Sequence, residues 1–511
     1  MIQKKIKQDK LFFALNEVEK AASVIGHEPI REVFVPRSIN YKDEEYIVKS
    51  ILKGAFEDAK KMKSIQFPSN SEIEVIESYA FANSSITTIT IPPCATKICE
   101  YTFNMCKYLQ QIEFPPNSKI QIIEKDAFSE SSIEQITIPS TITDLEDGWC
   151  SNTTKLNKVI IKPNNRYFMN IDDKMVIKRK DSKLDEYEVV SFVRRDIKTI
   201  QIPSFITTIG SFSFNCSAIE SIVIPSQVTK IGDSAFHMCS KLKKVEFSEN
   251  SQLEIIQEHA FTDTSIESIS IPPHVTKICQ KTFLNCDLLK NVYFPQNSEL
   301  RTIESNAFYD SAIESLTIPS SVSDFQDCWA NFVQNLTDIK ILKNEEENIK
   351  LFNNEVIIGK SDLNSDNFDV LVFARRDIET IDIPSCIKVI GSTAFTSSHV
   401  GSISLPPQVT KINSNAFSYC QFLERFEIPF DSDLNVIENS AFTFSGIKSI
   451  VIPSGIEFIG RSCFLFCVDL EIIEISPNPR IQSLLNDIKE SFSIYENVLL
   501  TIPAGSIKLN K

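Results

Sequence analysis

An aromatic residue returns along this chain at Phe56, Phe81, Phe103, Phe128 and Trp149, at steps of 25, 22, 25 and 21 residues. It returns again at Phe236, Phe261, Phe283, Phe308 and Trp329 with the same four steps, so the second series is the first displaced by 180 residues. Phe395, Phe417, Phe442 and Phe464 repeat the 22, 25, 22 steps that follow Phe214. Length alone would suggest three or four ordinary domains for 511 residues. The repeat overrides that: it calls for a stack of coils, each unable to bury its apolar side alone and each supported by its neighbours.

One coil, "SIESISIPPHVTKICQKTFLNC" at 265–286, can be read physically. Ile266, Ile269 and Ile271 point inward while Ser268 and Ser270 point outward, the alternation of a half-buried strand. Pro272 and Pro273 stop the ladder, because proline has no N–H to donate and fixes its own turn. "VTKI" is a second short alternating segment on the opposite face, and a single tight or helical turn around Thr282 and Phe283 drives the ring into the core.

Two segments interrupt the count, 150–198 and 330–379, and they match one another: "VVSFVRRDIKTIQIPS" against "VLVFARRDIETIDIPS". Their interiors read as strand-loop-strand insertions. Arg194, Arg195 and Asp196, mirrored by Arg375, Arg376 and Asp377, suggest a twice-used anion site or a solvated, ion-paired coil edge, and the second is expected. The chain divides into an N-terminal cap at 1–29, repeat blocks at 30–149, 199–329 and 380–476, the two insertions, and a C-terminal cap at 477–511 read as a short helix and a last strand.

His237, Met238 and Cys239 stand side by side, as metal ligands or a nucleophile beside its base would. The Phe and the Cys three residues later recur at Phe103/Cys106, Phe283/Cys286 and Phe417/Cys420, however, while the intervening pair changes each time. A catalytic group is needed once, and this Cys is needed in coil after coil. Cys239 is therefore read as a packing residue and His237 as its exposed neighbour. The rung alternates between Cys and a small residue (Cys239, Thr264, Cys286, Ser311). Cysteines two coils apart would lie about 10 Å from one another, beyond disulfide reach, so these thiols are expected to stay reduced. None of the thirteen cysteines has zinc-like spacing.

A formal charge of -15 without a Lys/Arg cluster opposes binding to nucleic acid or anionic lipid. The apolar run Leu11 to Leu15 is shorter than a signal peptide needs, and no run approaches the roughly 18 residues of a membrane helix. Five histidines (His27, His237, His259, His274, His399) share no frame position with a carboxylate, and the 12 glycines include no phosphate loop. No enzyme, cofactor or metal is expected.

With Ile-Pro-x-x-Val-Thr-x-Ile-Gly-x-x-Ala-Phe-x-x-Cys-x-x-Leu-x-x-Val read out, as in "IPSQVTKIGDSAFHMCSKLKKV" at 224–245, the chain closely resembles the BspA-like leucine-rich repeat family over roughly residues 30–476. "VPRSINYKDEEYIVKSILKGAF" at 35–56 is similar to that family's first coil. The expected fold is a mostly β repeat solenoid, a right-handed leucine-rich-repeat-type stack of 22–25-residue coils with parallel strands, short helical turns and the two insertions. The resemblance implies a surface antigen or adhesin, at the cell surface or secreted, that binds a host matrix or cell-surface protein, and it brings no catalytic residues. An intracellular scaffold in the cytoplasm, using the same face on another partner, is the alternative that the unpaired cysteines and acidic charge favour. A monomer is expected, with no nucleic-acid partner and no membrane insertion. If the chain is exported, the sequons at Asn83, Asn152, Asn215 and Asn335 are candidates for glycosylation.

Outward strand positions are the candidate binding stripe: Lys244 and Glu246, Ser268 and Ser270, Asn291 and Tyr293, Ser315 and Thr317, Arg425 and Glu427. Small hydroxyl residues alternate there with larger polar ones, where simple solvation of an exposed sheet is the blander reading.

Overall fold

The computed structural model describes residues 4–180, 186–477, 498–502 and 505–509, the last two spans as backbone. They fall into two compact units, Met1–Leu242 and Lys243–Lys511. Among the described residues there are strands and turns but no α-helix. The helix expected near the C-terminus lies outside the described residues. Beyond it, Val498–Ile502 pairs in parallel with Ile472–Ile475 and turns back into Gly505–Leu509.

In the first unit, Lys4–Gln8, Leu11–Asn16 and Ala21–His27 form an antiparallel meander whose last strand lies parallel to Glu44–Ile51. The apolar run at 11–15 is thus a strand that closes the first coil, with Leu11, Phe13 and Leu15 buried. Two parallel sheets follow. One carries the longer strand of each coil, such as Thr88–Thr90 beside Gln111–Glu113. The other carries two-residue strands such as Lys97–Ile98 beside Ile122–Ile123. In both, one position faces inward, as at Ile89, Ile112, Ile98 and Ile123, and its neighbours face outward, because side chains alternate along a strand.

The third side of each coil is a ladder of tight turns, not a helix. Around Phe283, Thr282 N–H donates to the Cys279 carbonyl (3.3 Å) and Leu284 N–H to that of Lys281 (3.2 Å). The intervening N–H groups of Lys281, Phe283 and Asn285 instead reach the next coil, at Ser305, Ala307 and Tyr309 (3.3, 2.8 and 3.0 Å). Half the donors are therefore committed between coils and cannot form the i−4 bonds of an α-helix. The alternation requires left-handed backbone two residues before and after the anchor ring, as at Lys281 (φ 56°) and Asn285 (φ 54°).

The anchor rings stack along each unit's core. Phe56, Phe81, Phe103 and Phe128 follow one another at 5.2–5.3 Å with planes within 4°. Phe261, Phe283 and Phe308 do the same at 5.7 and 5.5 Å. The tryptophans, expected as the fifth anchors, are not in that position. In regular coils the anchor N–H meets the carbonyl just before the next anchor, as Phe103 meets Ala127. Phe128 meets Trp149 in this way and Phe308 meets Trp329 (3.0 Å each), so the anchor positions belong to Cys150 and Ala330. The last step is 22, and the alternation of 25 and 22 is unbroken. Each indole occupies a rung elsewhere filled by a small residue, most often alanine, and turns edge-on to the preceding ring, at 89° and 80°.

The stack continues through one more longer strand in each unit, Lys158–Ile161 and Asp338–Leu342, before the antiparallel insertions. Phe168–Ile171, Met175–Arg179 and Tyr187–Val193 form an antiparallel meander that rejoins the stack through Thr208–Ile209. Ile349–Phe352, Val356–Gly359 and Val370–Ala374 do so through Val389–Ile390.

Candidate functional site

The Cys rung is structural. Cys239 is fully buried, its thiol donates to the Phe214 carbonyl (3.0 Å), and the Ser217 hydroxyl lies 3.4 Å away. Cys106, Cys286, Cys420 and Cys467 repeat the contact with Phe81, Phe261, Phe395 and Phe442. Burial pushes the Cys239 and Cys286 thiols up to about 12, away from thiolate chemistry. His237 is half-buried rather than exposed, with Nδ1 3.2 Å from the Asn215 amide nitrogen.

The arginine pairs divide. Arg194 and Arg375 form the expected ion pairs at the coil edge, with Asp196 and Asp377 (2.7 and 2.6 Å). Arg195 and Arg376 do not lie at that edge: they are buried. Arg376 donates to the carbonyls of Ala374, Ala394 and Thr393 at 2.9–3.2 Å and lies 4.1 Å over the Phe373 ring. Burial without a carboxylate partner pushes its guanidinium down to about 9. Arg195 mirrors it, donating to Val193 and Ser213 over the Phe192 ring. Arg195 also lies against Cys150, which takes the anchor position in place of a ring, with Nη2 3.8 Å from its Sγ, a role the sequence pattern did not disclose.

Eight of the ten stripe residues share one sheet in the second unit. Strands Lys244–Phe247, Ser268–Ser270, Asn291–Tyr293, Ser315–Pro319 and Asp338–Leu342 run in parallel. Lys244, Ser268, Asn291 and Ser315 are in register as one outward rail, continued by Asp338. Glu246, Ser270, Tyr293 and Thr317 form the second, with Tyr293 about half exposed. Arg425 and Glu427 lie on a different sheet, beyond the second insertion, between Ser402–Ser404 and Ser449–Ile452.

Over that second sheet opens a cleft of about 940 Å³, lined by Gly401, Phe422, Arg425, Glu427, Lys448 and Val451 among others. Phe422 is 57% exposed, its ring stacked on the His399 imidazole at 5.2 Å and 18°. Nδ1 of His399 lies 2.8 Å from the Arg376 carbonyl, so the buried arginine segment positions the stack. Glu424 is held by Lys448 (2.8 Å), which draws its carboxyl below the usual range. Sequence reading found Arg425 and Glu427 but missed Phe422 and Gly401. The available signal was glycine at a place where other coils carry Glu220, Glu267, Glu314 or Lys448. Among the described residues no group of three or more His, Cys, Asp or Glu side chains could hold a metal ion, and no helix is long and apolar enough to cross a membrane.

The family model described as BspA type leucine-rich repeat region, with six copies, matches residues 32–157, 164–286, 254–371 and 366–487. A leucine-rich cell surface protein from Faecalibacterium prausnitzii is similar at 19% identity and TM-score 0.48, covering 67% of this chain and 96% of its own. A leucine-rich repeat protein from Bacteroides ovatus is similar at 20% identity and TM-score 0.40, covering 97% and 99%. The pneumococcal vaccine antigen PcpA is similar at 17% identity and TM-score 0.44, covering 98% and 99%. No curated protein matches. The coil frame and the extent of the family match together show that this chain belongs to the BspA type leucine-rich repeat family.

Proposed function

We propose that the chain is a non-enzymatic binding protein that holds a protein ligand along its longer-strand sheet faces and acts at the cell surface or outside the cell, on a host matrix or cell-surface protein. The supporting observation is the pair of outward rails: within a fixed buried frame, the side chains that change from coil to coil are the ones in register on an open parallel sheet, from Lys244 and Glu246 to Ser315 and Thr317. A repeat solenoid presents such a face as an extended surface whose chemistry can vary without cost to the core. The same face would serve an intracellular scaffold, which the reduced thiols favour. Antibody labelling of intact against permeabilised cells, with surface proteolysis as control, tests the location. Labelling of intact cells supports the surface reading and leads to binding assays on matrix proteins. Labelling only after permeabilisation replaces it with the scaffold.

A further inference from the structure

We propose that the cleft over Ser402–Ser404, Arg425–Glu427 and Ser449–Ile452 binds an extended peptide segment that carries a carboxylate side chain beside an apolar one. The proposal rests on the protein-binding reading and gives it a specific site and ligand chemistry.

The first observation is an open charge pair. Outward residues two apart on a strand elsewhere close on one another: Lys244 on Glu246 at 2.6 Å, Lys340 on Asp338 at 3.0 Å, and Gln111 on Glu113 at 2.8 Å. Arg425 and Glu427 hold the same two positions, yet neither side chain makes a hydrogen bond or ion pair among the described residues. The neighbouring cation Lys448 is already held by Glu424. A carboxylate can therefore reach the Arg425 fork without displacing a partner, and the bidentate geometry of guanidinium favours that anion.

The second is why the cleft exists. At 401 the chain has glycine where many other coils have a long charged side chain, such as Glu220, Glu267, Glu314 or Lys448. A Cβ placed there would meet only the Phe422 and Glu379 carbonyl oxygens, at 3.7 and 3.8 Å, so a side chain fits without a clash and the glycine is not imposed by close packing. The wall beside it is apolar, with Phe422 at 57% and Val451 at 43% exposure. The cleft thus offers a seat for an apolar side chain next to a cation. Outward positions two apart lie about 7 Å from one another, the spacing of alternate side chains on an extended peptide laid along the strand. Glu427 faces the same space and disfavours the repeated phosphates of a nucleic acid.

The test is selection of random displayed peptides on the full-length chain. Affinities of the isolated peptides are then measured by fluorescence anisotropy for the wild type, Arg425→Gln, Gly401→Glu and the control Lys107→Gln. Selected peptides should pair an acidic with an apolar residue. Arg425→Gln should weaken them about tenfold or more, Gly401→Glu should abolish binding by refilling the floor, and Lys107→Gln, on the turn side of the first unit and paired with Glu130, should leave it unchanged. Failure to select any peptide, or selected peptides that bind Arg425→Gln as well as wild type, overturns the proposal. In the latter case binding on the other rails keeps the broader reading alive. Glycan-array binding that requires Arg425, with no peptide binding, also overturns it.

Discussion

Replacing Phe283 with alanine probes the ring stack. The side chain is fully buried and is sandwiched between Phe261 and Phe308, with planes within 7° and 2° of its own. Removing a buried phenyl ring costs about 3–5 kcal/mol through lost transfer energy and the cavity left behind. Two stacked neighbours, each contributing about 0.5–1.5 kcal/mol beyond area burial, place the expected loss in the upper part of that range. The backbone cannot close the gap, because the Phe283 N–H and its neighbours are tied to the following coil. The assay is supplied by the two tryptophans, one per unit. In a Trp149→Phe background, Trp329 fluorescence reports denaturant unfolding of the second unit, and Trp329 sits 6.3 Å from the ring that stacks on Phe283. Phe283→Ala should shift that transition by about 4 kcal/mol. In a Trp329→Phe background the Trp149 transition should move far less, since repeat stability is set by near neighbours. A shift below about 1 kcal/mol at Trp329 would refute the claim that the ring stack sustains the coils.

Buried thiols should make the protein sensitive to alkali. Cys239 and Cys286 are raised to about 12 and Cys106 and Cys420 to about 11 from 9.0, so their contribution is intact below pH 9 and is lost as pH rises through 11 to 12. A Cys239→Ser/Cys286→Ser variant should show a shallower fall in stability from pH 9 to 11, by up to about 1.4 kcal/mol per unit for each thiol removed. Gly232→Ala should destabilise by about 1–3 kcal/mol in thermal melts, because its Cβ would lie 2.5 Å from the Ser211 backbone nitrogen. Arg376→Met should be neutral or stabilising by about 1–4 kcal/mol, since it removes a buried cation that no carboxylate offsets. The Ala394 and Thr393 carbonyls also keep their backbone donors. A clear loss of stability would show that the carbonyls and the Phe373 ring more than compensate for its burial. Arg375→Gln, at the exposed end of the same pair, should change stability by less than about 1 kcal/mol.

Most of the fold is legible because the coil frame repeats: apolar positions, prolines and anchor rings recur until only a stack can satisfy them. The readings fail where the repeat is locally replaced. Trp149 and Trp329 match the anchor in size but stand one residue early, and only the inter-coil hydrogen bonds reveal that Cys150 and Ala330 keep the frame. Arg195 and Arg376 read as solvent-facing because charge normally marks the surface. Their acceptors are main-chain carbonyls, which no side-chain pattern displays. The cleft is half legible for a related reason. Arg425 and Glu427 follow from strand alternation, whereas the space beside them comes from a side chain that Gly401 lacks.

The shared carbonyl on the thiol rung also bears on how such a chain can grow. Phe261 O accepts from Thr264 of its own coil and from Cys286 of the next, at 2.9 and 3.2 Å. A hydroxyl coil and a thiol coil are thus complementary, and two of a kind in succession would lose that match. The smallest exchangeable module is therefore the pair, 47 residues from Phe81 to Phe128, which carries Ser84 and Cys106. Recombination that adds or deletes whole pairs restores both the donors and the alternation of step lengths, whereas gain or loss of a single coil breaks both. Copy number in such an array can drift in steps of two, lengthening the outward rails while each new junction inherits a hydrogen-bond pattern already in use.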